Sequence, residues 1–311
     1  MSLTRKAQSI IDGVQNSRLR PIWRIVAVLV TMTPVYYGGQ LLLFRAVRSA
    51  DLGEIGGIVS IAGQTVTVAL ALLIAVATVR RLGNQSLQQY GIENSSVWWR
   101  DLIGGLGIGA AATIGTVGYL IAGGGAELAV ESSGTGSETV SIAVAAVLAI
   151  LALVIVNSTL EEFVFRGVVI SNASEGLQAR RASLWTASLI AVGVSATLFG
   201  LFHFLDGPFE IVSSAMMGIF WGVAYLFTGR LALPLGAHIG NISFFVLFQG
   251  QFAGFTLPTF ILVETVGEPT LFEGFQLWGT RVMIGISLVI LWVFVFYDRV
   301  GIHKKFIHNM Q

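Results

Sequence analysis

Two adjacent carboxylates, Glu161 and Glu162, follow the apolar run SIAVAAVLAILALVIVNSTL, and Arg166 comes four residues after the second. A charged side chain at bilayer depth costs roughly 2.5 to 3.5 kcal/mol, so it requires a partner or a function. On an α-helix Glu162 and Arg166 share a face, which predicts a bidentate ion pair. Glu161 is rotated by about 100° from its neighbour. The pattern therefore predicts one neutralised glutamate and one that is available for chemistry.

Three more polar residues lie in apolar segments: His203 in FGLFHF, and His238 and Asn241 in LGAHIGN. A carboxylate beside a histidine is able to act as a general base that activates water, a role assigned here to Glu161. His238 and Asn241 share a helix face and are able to donate hydrogen bonds to the oxyanion of a hydrated amide. Alternatively, Glu161, His203 and His238 have the composition of a catalytic zinc site with one open position. The residues alone leave both chemistries open.

The composition determines the class of protein. The chain has 311 residues, of which 54% are hydrophobic and 11% are charged, and its mean hydropathy is +0.79. Its apolar runs are continuous over about 20 residues, as spanning helices require and barrel strands do not show. We therefore expect an all-α, polytopic integral membrane bundle. A net charge of +1 argues against a nucleic-acid partner, and the absence of cysteine excludes a cysteine nucleophile.

Hydropathy predicts about eight spans, and an even number returns both termini to one side. The basic segments 1–21 and 299–311 are predicted to be cytoplasmic by the positive-inside rule, in the plasma membrane of a prokaryote. Residues 22–298 are predicted to form a single transmembrane domain. The predicted spans are 22–45, 54–79, 101–124, 140–170, 184–204, 209–228, 231–250 and 278–298.

A simple serpentine would separate the chemical groups by depth. It puts Glu161 toward the cytoplasmic end of the fourth span and His203 toward the outer end of the fifth. The two side chains must meet for any shared chemistry. A fourth helix that continues to about Ser174 would put Glu161 near mid-depth and would allow the meeting, so we expect such a helix, with tilt or a break in the fifth span.

The order of these motifs resembles the CPBP family of intramembrane proteases, which includes type II CAAX prenyl endopeptidases and bacteriocin-processing or self-immunity proteins. The family patterns are Glu-Glu-x-x-x-Arg, Phe-x-x-x-His, and His followed closely by Asn. The resemblance covers about residues 140–250 and leaves the rest of the chain unmatched. The matching residues here are Glu161, Glu162, Arg166, Phe199, His203, His238 and Asn241.

The resemblance implies a role for each residue. In this family the first glutamate and first histidine activate water, which implies Glu161 and His203 here. The second glutamate and the arginine order the site, and the last His and Asn form the oxyanion hole. By resemblance these are Glu162 with Arg166, and His238 with Asn241. The family is often described as metalloproteases, although a metal-free glutamate mechanism is also argued, so Zn²⁺ remains an open cofactor.

One position departs from the family pattern. The family places Asn four residues after His, where this chain has Ile242, and Asn241 comes one residue earlier. A change of one residue rotates the amide by about 100° on a helix. The resemblance also implies a cavity that opens to the cytoplasm.

The sequence thus predicts an intramembrane endopeptidase that cleaves membrane-associated or lipidated polypeptides by means of a glutamate- and histidine-activated water. Its expected partners are such a polypeptide and the lipid bilayer. A non-catalytic scaffold or immunity-type protein is the first alternative, because it would tolerate the altered third motif. A proton-coupled transporter is the second, because intramembrane Glu and His also form proton relays, but no inverted repeat is visible in the sequence.

Overall fold

A computed structural model describes residues 20–50, 52, 55–83, 86–129, 140–249, 251–252, 255–256, 262–265, 271–298 and 300–306. Most of the predicted basic segments 1–21 and 299–311 lies outside these residues. The described part contains eight long helices, and it is almost wholly helical, as predicted. In chain order these are α1 Pro21–Ser49, α2 Gly56–Gly83, α3 Ser96–Ala122, α4 140–178, α5 Leu184–Phe202, α6 Pro208–Thr228, α7 Ala232–Gln249 and α8 Leu271–Tyr297.

Two short antiparallel strand pairs accompany the helices. β1 (Ala126–Ala129) pairs with β4 (Leu262–Thr265), and β2 (Gln251–Phe252) pairs with β3 (Phe255–Thr256). Among the described residues, seven of the eight helices are long and apolar enough to cross a membrane. The protein is therefore an integral membrane protein.

Helix α7 is the exception to that criterion, and it packs closely on α3. A Cβ added at Gly236 would lie 2.1 Å from the carbonyl oxygen of Leu102, and one added at Gly109 would lie 2.1 Å from that of Ala237. The helix backbones can approach only because these positions lack side chains. This contact places His238, one residue after Ala237, in the interior of the bundle.

Helix α4 positions the two glutamates, and it continues past the predicted end near Ser174 to Gln178. It consists of Val140–Glu161, a π-helical segment Glu162–Ile170 and Ser171–Gln178. The span predicted from hydropathy stopped at residue 170, because the polar residues that follow lower the local hydropathy. Glu161 therefore lies near the middle of a long helix, where α-helical winding changes to π-helical winding.

The π-helical segment was not predicted. A π-helix bonds residue i to i+5; it is rare and occurs frequently at functional sites. Neighbouring side chains bond to its carbonyl groups: Ser195 Oγ of α5 donates to Phe165 O at 2.7 Å, and Asn172 Nδ2 donates to Val168 O at 2.7 Å. These hydrogen bonds stabilise the unusual winding in the buried interior.

Helix α1 also contains a π-helical segment, Pro34–Gly38. Proline has no N–H to donate, which disfavours a regular α-helical turn at this point. The segment carries Tyr36 and Tyr37. The Tyr37 hydroxyl donates to the Phe202 carbonyl at the end of α5, and its ring packs against the Phe202 ring with centroids 5.2 Å apart. Helix α1 therefore contacts the chain immediately before His203.

Charged pairs connect the helix ends on one side of the bundle, which we call the basic end. This end comprises the starts of α1, α3, α5 and α7 and the ends of α2, α4, α6 and α8. Arg24 Nη2 lies 2.6 Å from Glu175 Oε1 and joins α1 to α4. Arg230 Nε, between α6 and α7, lies 2.6 Å from Glu93 Oε1, just before α3. The hydrogen bond from Tyr297 to Asp101 joins α8 to α3.

A 3₁₀ turn near the C terminus, Lys304–Phe306, docks onto the basic end. His303 N donates to Leu226 O at 2.8 Å, and Gln178 Nε2 donates to Phe306 O at 2.9 Å. The Phe306 side chain is 1% exposed. The turn therefore covers the ends of α4 and α6.

Lys305 in this turn predicts a pH-dependent stability. Its Nζ donates to Tyr225 Oη at 2.8 Å and to Gly229 O at 3.0 Å, and burial lowers the pKa of Lys305 from 10.5 to about 7. Between these two values the unfolded chain binds more protons than the folded chain, so stability rises with pH. We expect Lys305→Met to remove this rise of stability with pH. The measurement is the thermal unfolding temperature in detergent from pH 7 to 10. Lys304→Met, at an exposed neighbour, should retain the rise; an equal slope in both variants would contradict the assignment.

Candidate active site

Five of the six predicted site residues come together between α4, α5 and α7. Glu161, Glu162, Arg166 and His238 are 2% exposed or less, and His203 is 24% exposed. Glu161 ends the α-helical part of α4, and Glu162 and Arg166 lie in its π-helical segment. His203 caps the C terminus of α5. The buried charges are thus assembled from distant parts of the chain.

The imidazole of His238 bridges the two glutamates. Its Nδ1 lies 2.8 Å from Glu162 Oε1, and its Nε2 lies 3.5 Å from Glu161 Oε2. The indole of Trp221 stacks on the ring, with centroids 3.7 Å apart and planes at 16°. The two carboxylates therefore converge on one ring, whereas α-helical geometry predicted that they diverge. Glutamate side chains are long enough to reach one ring from adjacent helical positions.

The bridge also determines where protons can reside. The short contact to Glu162 indicates that His238 Nδ1 carries a hydrogen and donates it. If Nε2 carried none, its lone pair would face the Glu161 carboxylate at 3.5 Å. An N–H at Nε2 would instead be directed at Glu161 Oε2 as a donor.

Arg166 supports Glu162 through a single contact. Its Nη1 lies 3.2 Å from Glu162 Oε1, and the second carboxylate oxygen has no hydrogen-bond partner among the described residues. The predicted bidentate pair is therefore wrong. The reason is that the guanidinium lies over two aromatic rings, with Cζ 4.5 Å from the Phe199 centroid and 5.1 Å from that of Trp221. These cation–π contacts hold its plane away from an edge-on approach to the carboxylate.

His203 faces Glu161 across a gap. Its Nε2 lies 3.9 Å from Glu161 Oε1, too far for a direct hydrogen bond, and it is buried without a hydrogen-bond partner among the residues that the structure describes. Its Nδ1 lies 3.0 Å from Asp206 Oδ2, which fixes the ring orientation. A gap of this size between two polar atoms suits a bridging water.

Two polar residues that the sequence did not single out form a hydrogen-bonded chain that ends at Glu161. Asn157 Nδ2 donates to Glu161 Oε1 at 2.8 Å, and Tyr36 Oη donates to Asn157 Oδ1 at 3.2 Å. Asn157 precedes Glu161 by one helical turn, a spacing that places both on one face and that offered a signal. The signal for Tyr36 was weaker: a proline and two tyrosines inside an otherwise apolar first span.

Asn241 is the sixth predicted residue, and its side chain contacts α3. The Thr113 hydroxyl lies 3.1 Å from Asn241 Oδ1, and Asn241 is 5% exposed. Within the described part of the chain, no hydrogen bond joins Asn241 to the glutamates. Because Oδ1 is the acceptor, the amide NH₂ group is the end that remains for other partners. Its oxyanion role stays a prediction.

The zinc alternative requires Glu161, His203 and His238 to coordinate one ion. The residue types are those of a His₂Glu site. However, no three His, Cys, Asp or Glu side chains in the described ranges are grouped closely enough to hold a metal ion. As arranged, these three side chains do not fit a zinc ion.

The site is thus a polytopic helical bundle that encloses paired carboxylates and imidazoles in its interior. Residues 143–244 match the family described as type II CAAX prenyl endopeptidase Rce1-like. A protein named membrane-embedded CAAX protease MroQ, from Staphylococcus aureus (strain USA300), is 33% identical over 96 residues, which cover 30% of this chain and 36% of that protein. No solved structure matches the chain. These matches confirm the predicted resemblance: the central part of the chain is similar to the CPBP family of intramembrane proteases, and the chain spans about a third of the length of the relative it matches.

Proposed function

We propose that the protein is an intramembrane endopeptidase that hydrolyses peptide bonds of membrane-associated or lipidated polypeptides. The observation that carries the proposal is the gap between Glu161 Oε1 and the unpartnered, buried Nε2 of His203. Two polar atoms 3.9 Å apart in an apolar interior are suited to bind and polarise one water molecule. The family match supports peptide hydrolysis as the reaction, but it covers only part of the chain and of its relative, so the activity of the whole protein is part of the proposal.

The proposed reaction begins with water held between Glu161 and His203. Glu161 accepts a proton from this water as its oxygen attacks the carbonyl carbon of the scissile bond. The oxyanion that forms is stabilised by the proton on His238 Nε2, with Asn241 as the second donor suggested by the resemblance. Glu161 then transfers its proton to the leaving nitrogen as the C–N bond breaks. The products are a carboxylic acid and an amine, and no other reactant is consumed.

The remaining polar residues position these groups. Glu162 accepts from His238 Nδ1 and thereby fixes the ring so that Nε2 faces Glu161. Arg166 compensates the charge of Glu162. Asn157 holds one oxygen of Glu161, which leaves the other directed at His238.

Asn157→Ala tests this positioning. Loss of a hydrogen bond to a charged group corresponds to about 1.5–3 kcal/mol, so we expect kcat to fall roughly 10- to 150-fold with KM nearly unchanged. Thr159→Val, whose hydroxyl donates to Ile155 O of its own helix, is the matched control. An equal loss of kcat in both variants would reduce Asn157 to a structural role.

The function itself is tested with purified protein in detergent on fluorogenic peptides, one prenylated and one an unmodified membrane peptide. We expect cleavage by the wild type and none by His203→Ala. The assay is repeated after incubation with a chelator, since loss of cleavage would show that a metal takes part. Cleavage by neither form on either peptide would overturn the proposal and favour the scaffold alternative, for which the attachment of Asn241 to Thr113 is the supporting observation.

A further inference from the structure

The side of the membrane from which the site is reached follows from the position of the site along the bundle. Helix α5 starts at the basic end, directly after Arg180 and Arg181, and continues for 19 residues to Phe202. At 1.5 Å per residue it is about 28 Å long, close to the roughly 30 Å of the hydrocarbon core. His203, which follows it, therefore lies at the far end of the bundle.

Contacts among neighbouring helices define this far end, which we call the acidic end. It comprises the ends of α1, α3, α5 and α7 and the starts of α2, α4, α6 and α8. A Cβ added at Gly274, near the start of α8, would lie 2.1 Å from the ring of Phe209 at the start of α6. Gln276 Nε2 donates to Tyr119 Oη near the end of α3 at 2.6 Å. The turn that carries His203 is thus level with other helix ends.

The path from the glutamates toward the basic end is closed. Phe163, the next residue of α4, is 0% exposed, and its ring packs on that of Tyr90 with centroids 5.9 Å apart. A Cβ added at Gly167, farther along α4, would lie 3.5 Å from both Tyr90 and Leu231. Beyond this layer the turn Lys304–Phe306 covers the helix ends. Apolar packing and the docked turn together seal this side.

The path toward the acidic end is the exposed one. His203 is 24% exposed and its partner Asp206 is 59% exposed, whereas the other charged site residues are 2% exposed or less. A carboxylate as exposed as Asp206 requires water. The site therefore meets solvent at the turn between α5 and α6.

The two ends differ in charge. The described cations at the basic end are Arg20, Arg24, Arg80, Arg81, Arg100, Arg180, Arg181, Arg230, Lys304 and Lys305. The acidic end carries Glu127, Asp206, Glu210 and Glu264, with Arg45, Arg48 and the buried Arg281 in the first half of α8 as its cations. The positive-inside rule assigns the cation-rich end to the cytoplasm. The acidic end then faces away from the cytoplasm.

We propose that the active site opens to the extracytoplasmic side, and that its substrates are polypeptides whose scissile bond lies at the outer leaflet or just outside it. The statement about substrates rests on the proposed function. The statement about the side to which the site opens does not depend on it. It is opposite to the cytoplasmic opening that the family resemblance implies. A substrate synthesised in the cytoplasm has to place its cleavage segment across the membrane before the enzyme can act on it.

The chain has no cysteine, so single cysteines can report topology in the full-length protein. We would introduce Ser49→Cys and Asp206→Cys at the acidic end, and Arg180→Cys and Gln88→Cys at the basic end. All four positions are exposed. Intact cells are treated with a membrane-impermeant maleimide, before and after permeabilisation. We expect the first pair to be labelled in intact cells and the second pair only after permeabilisation. The reverse pattern overturns the proposal, and Ser49→Cys decides if Asp206→Cys fails to fold.

A second experiment tests the substrate side. One cleavable segment is fused to a transmembrane anchor in two orientations, so that it lies outside or inside the cell, and each fusion is expressed with wild type or with Glu161→Gln. We expect the wild type to cleave the outside fusion and not the inside fusion, and we expect Glu161→Gln to cleave neither. Cleavage of the inside fusion alone, or of both fusions equally, overturns the inference while it supports the proposed function. Cleavage of neither fusion counts against the proposed function, and the labelling result then decides the topology separately.

Discussion

Replacing Glu161 by Gln is expected to lower kcat for peptide hydrolysis by about 10²- to 10⁴-fold, the usual contribution of a positioned general base. The amide has nearly the same shape as the carboxylate but does not accept the proton of the attacking water. Asn157 and His238 contact both oxygens of Glu161, so packing around the variant should change little. The measurement is the initial rate on the peptide that the wild type cleaves, together with the thermal unfolding of each protein.

Glu127→Gln is the matched control, because it makes the same chemical change at an exposed residue of β1. We expect this variant to retain the wild-type rate. If Glu161→Gln is folded and retains more than about a tenth of the wild-type kcat, Glu161 is not the base, since a loss below tenfold is under the range of such catalysts.

Removal of the guanidinium by Arg166→Met is expected to destabilise the folded protein by about 3–5 kcal/mol, the penalty for leaving one member of a buried ion pair uncompensated. Arg166 is fully buried, and its loss leaves the Glu162 carboxylate beside only His238. The cation–π contacts with Phe199 and Trp221 are lost as well. The measurement is unfolding in detergent, with free-energy differences compared between variants.

A double variant separates charge from packing. Glu162→Gln combined with Arg166→Met removes both charges, so we expect it to recover most of the stability lost in Arg166→Met, while peptide hydrolysis stays low because His238 is no longer held by a carboxylate. The coupling free energy from the four proteins measures the pair directly. Additive losses, with no recovery in the double variant, would show that Arg166 acts through aromatic packing and not through Glu162.

The parts of this structure that follow local rules could be predicted from the sequence. Apolar runs of about 20 residues predicted the helices, and charge inside those runs identified Glu161, Glu162, Arg166, His203 and His238 as residues that need partners. The requirement that Glu161 and His203 meet predicted a fourth helix that runs to about Ser174, and the helix continues to Gln178.

The parts of the structure that depend on three-dimensional packing could not be predicted from the sequence. The π-helical winding at Glu162 depends on neighbours such as Ser195, on another helix, and no pattern within α4 announces it. The convergence of both glutamates on His238 depends on the position of α7, which the sequence of α4 does not contain. The contact of Tyr36 with Asn157 joins residues 121 positions apart. The attachment of Asn241 to Thr113 likewise depends on the close approach of α7 to α3, so the one-residue departure from the family pattern became interpretable only in the structure.

The bridge between Glu162 and His238 joins residues 76 positions apart, which has a consequence for biogenesis. At roughly 5–20 residues per second, the ribosome reaches His238 about 4 to 15 s after it has added Glu162. During this interval α4 has to enter the bilayer without α7. Arg166, one turn away on the same helix, is the counter-ion that the nascent segment carries with it, whereas Glu161 gains its imidazole partner only when α7 arrives. The proposed hydrolytic centre is therefore complete only after residue 238 has been added, and a chain released before that residue holds a membrane helix with one uncompensated carboxylate.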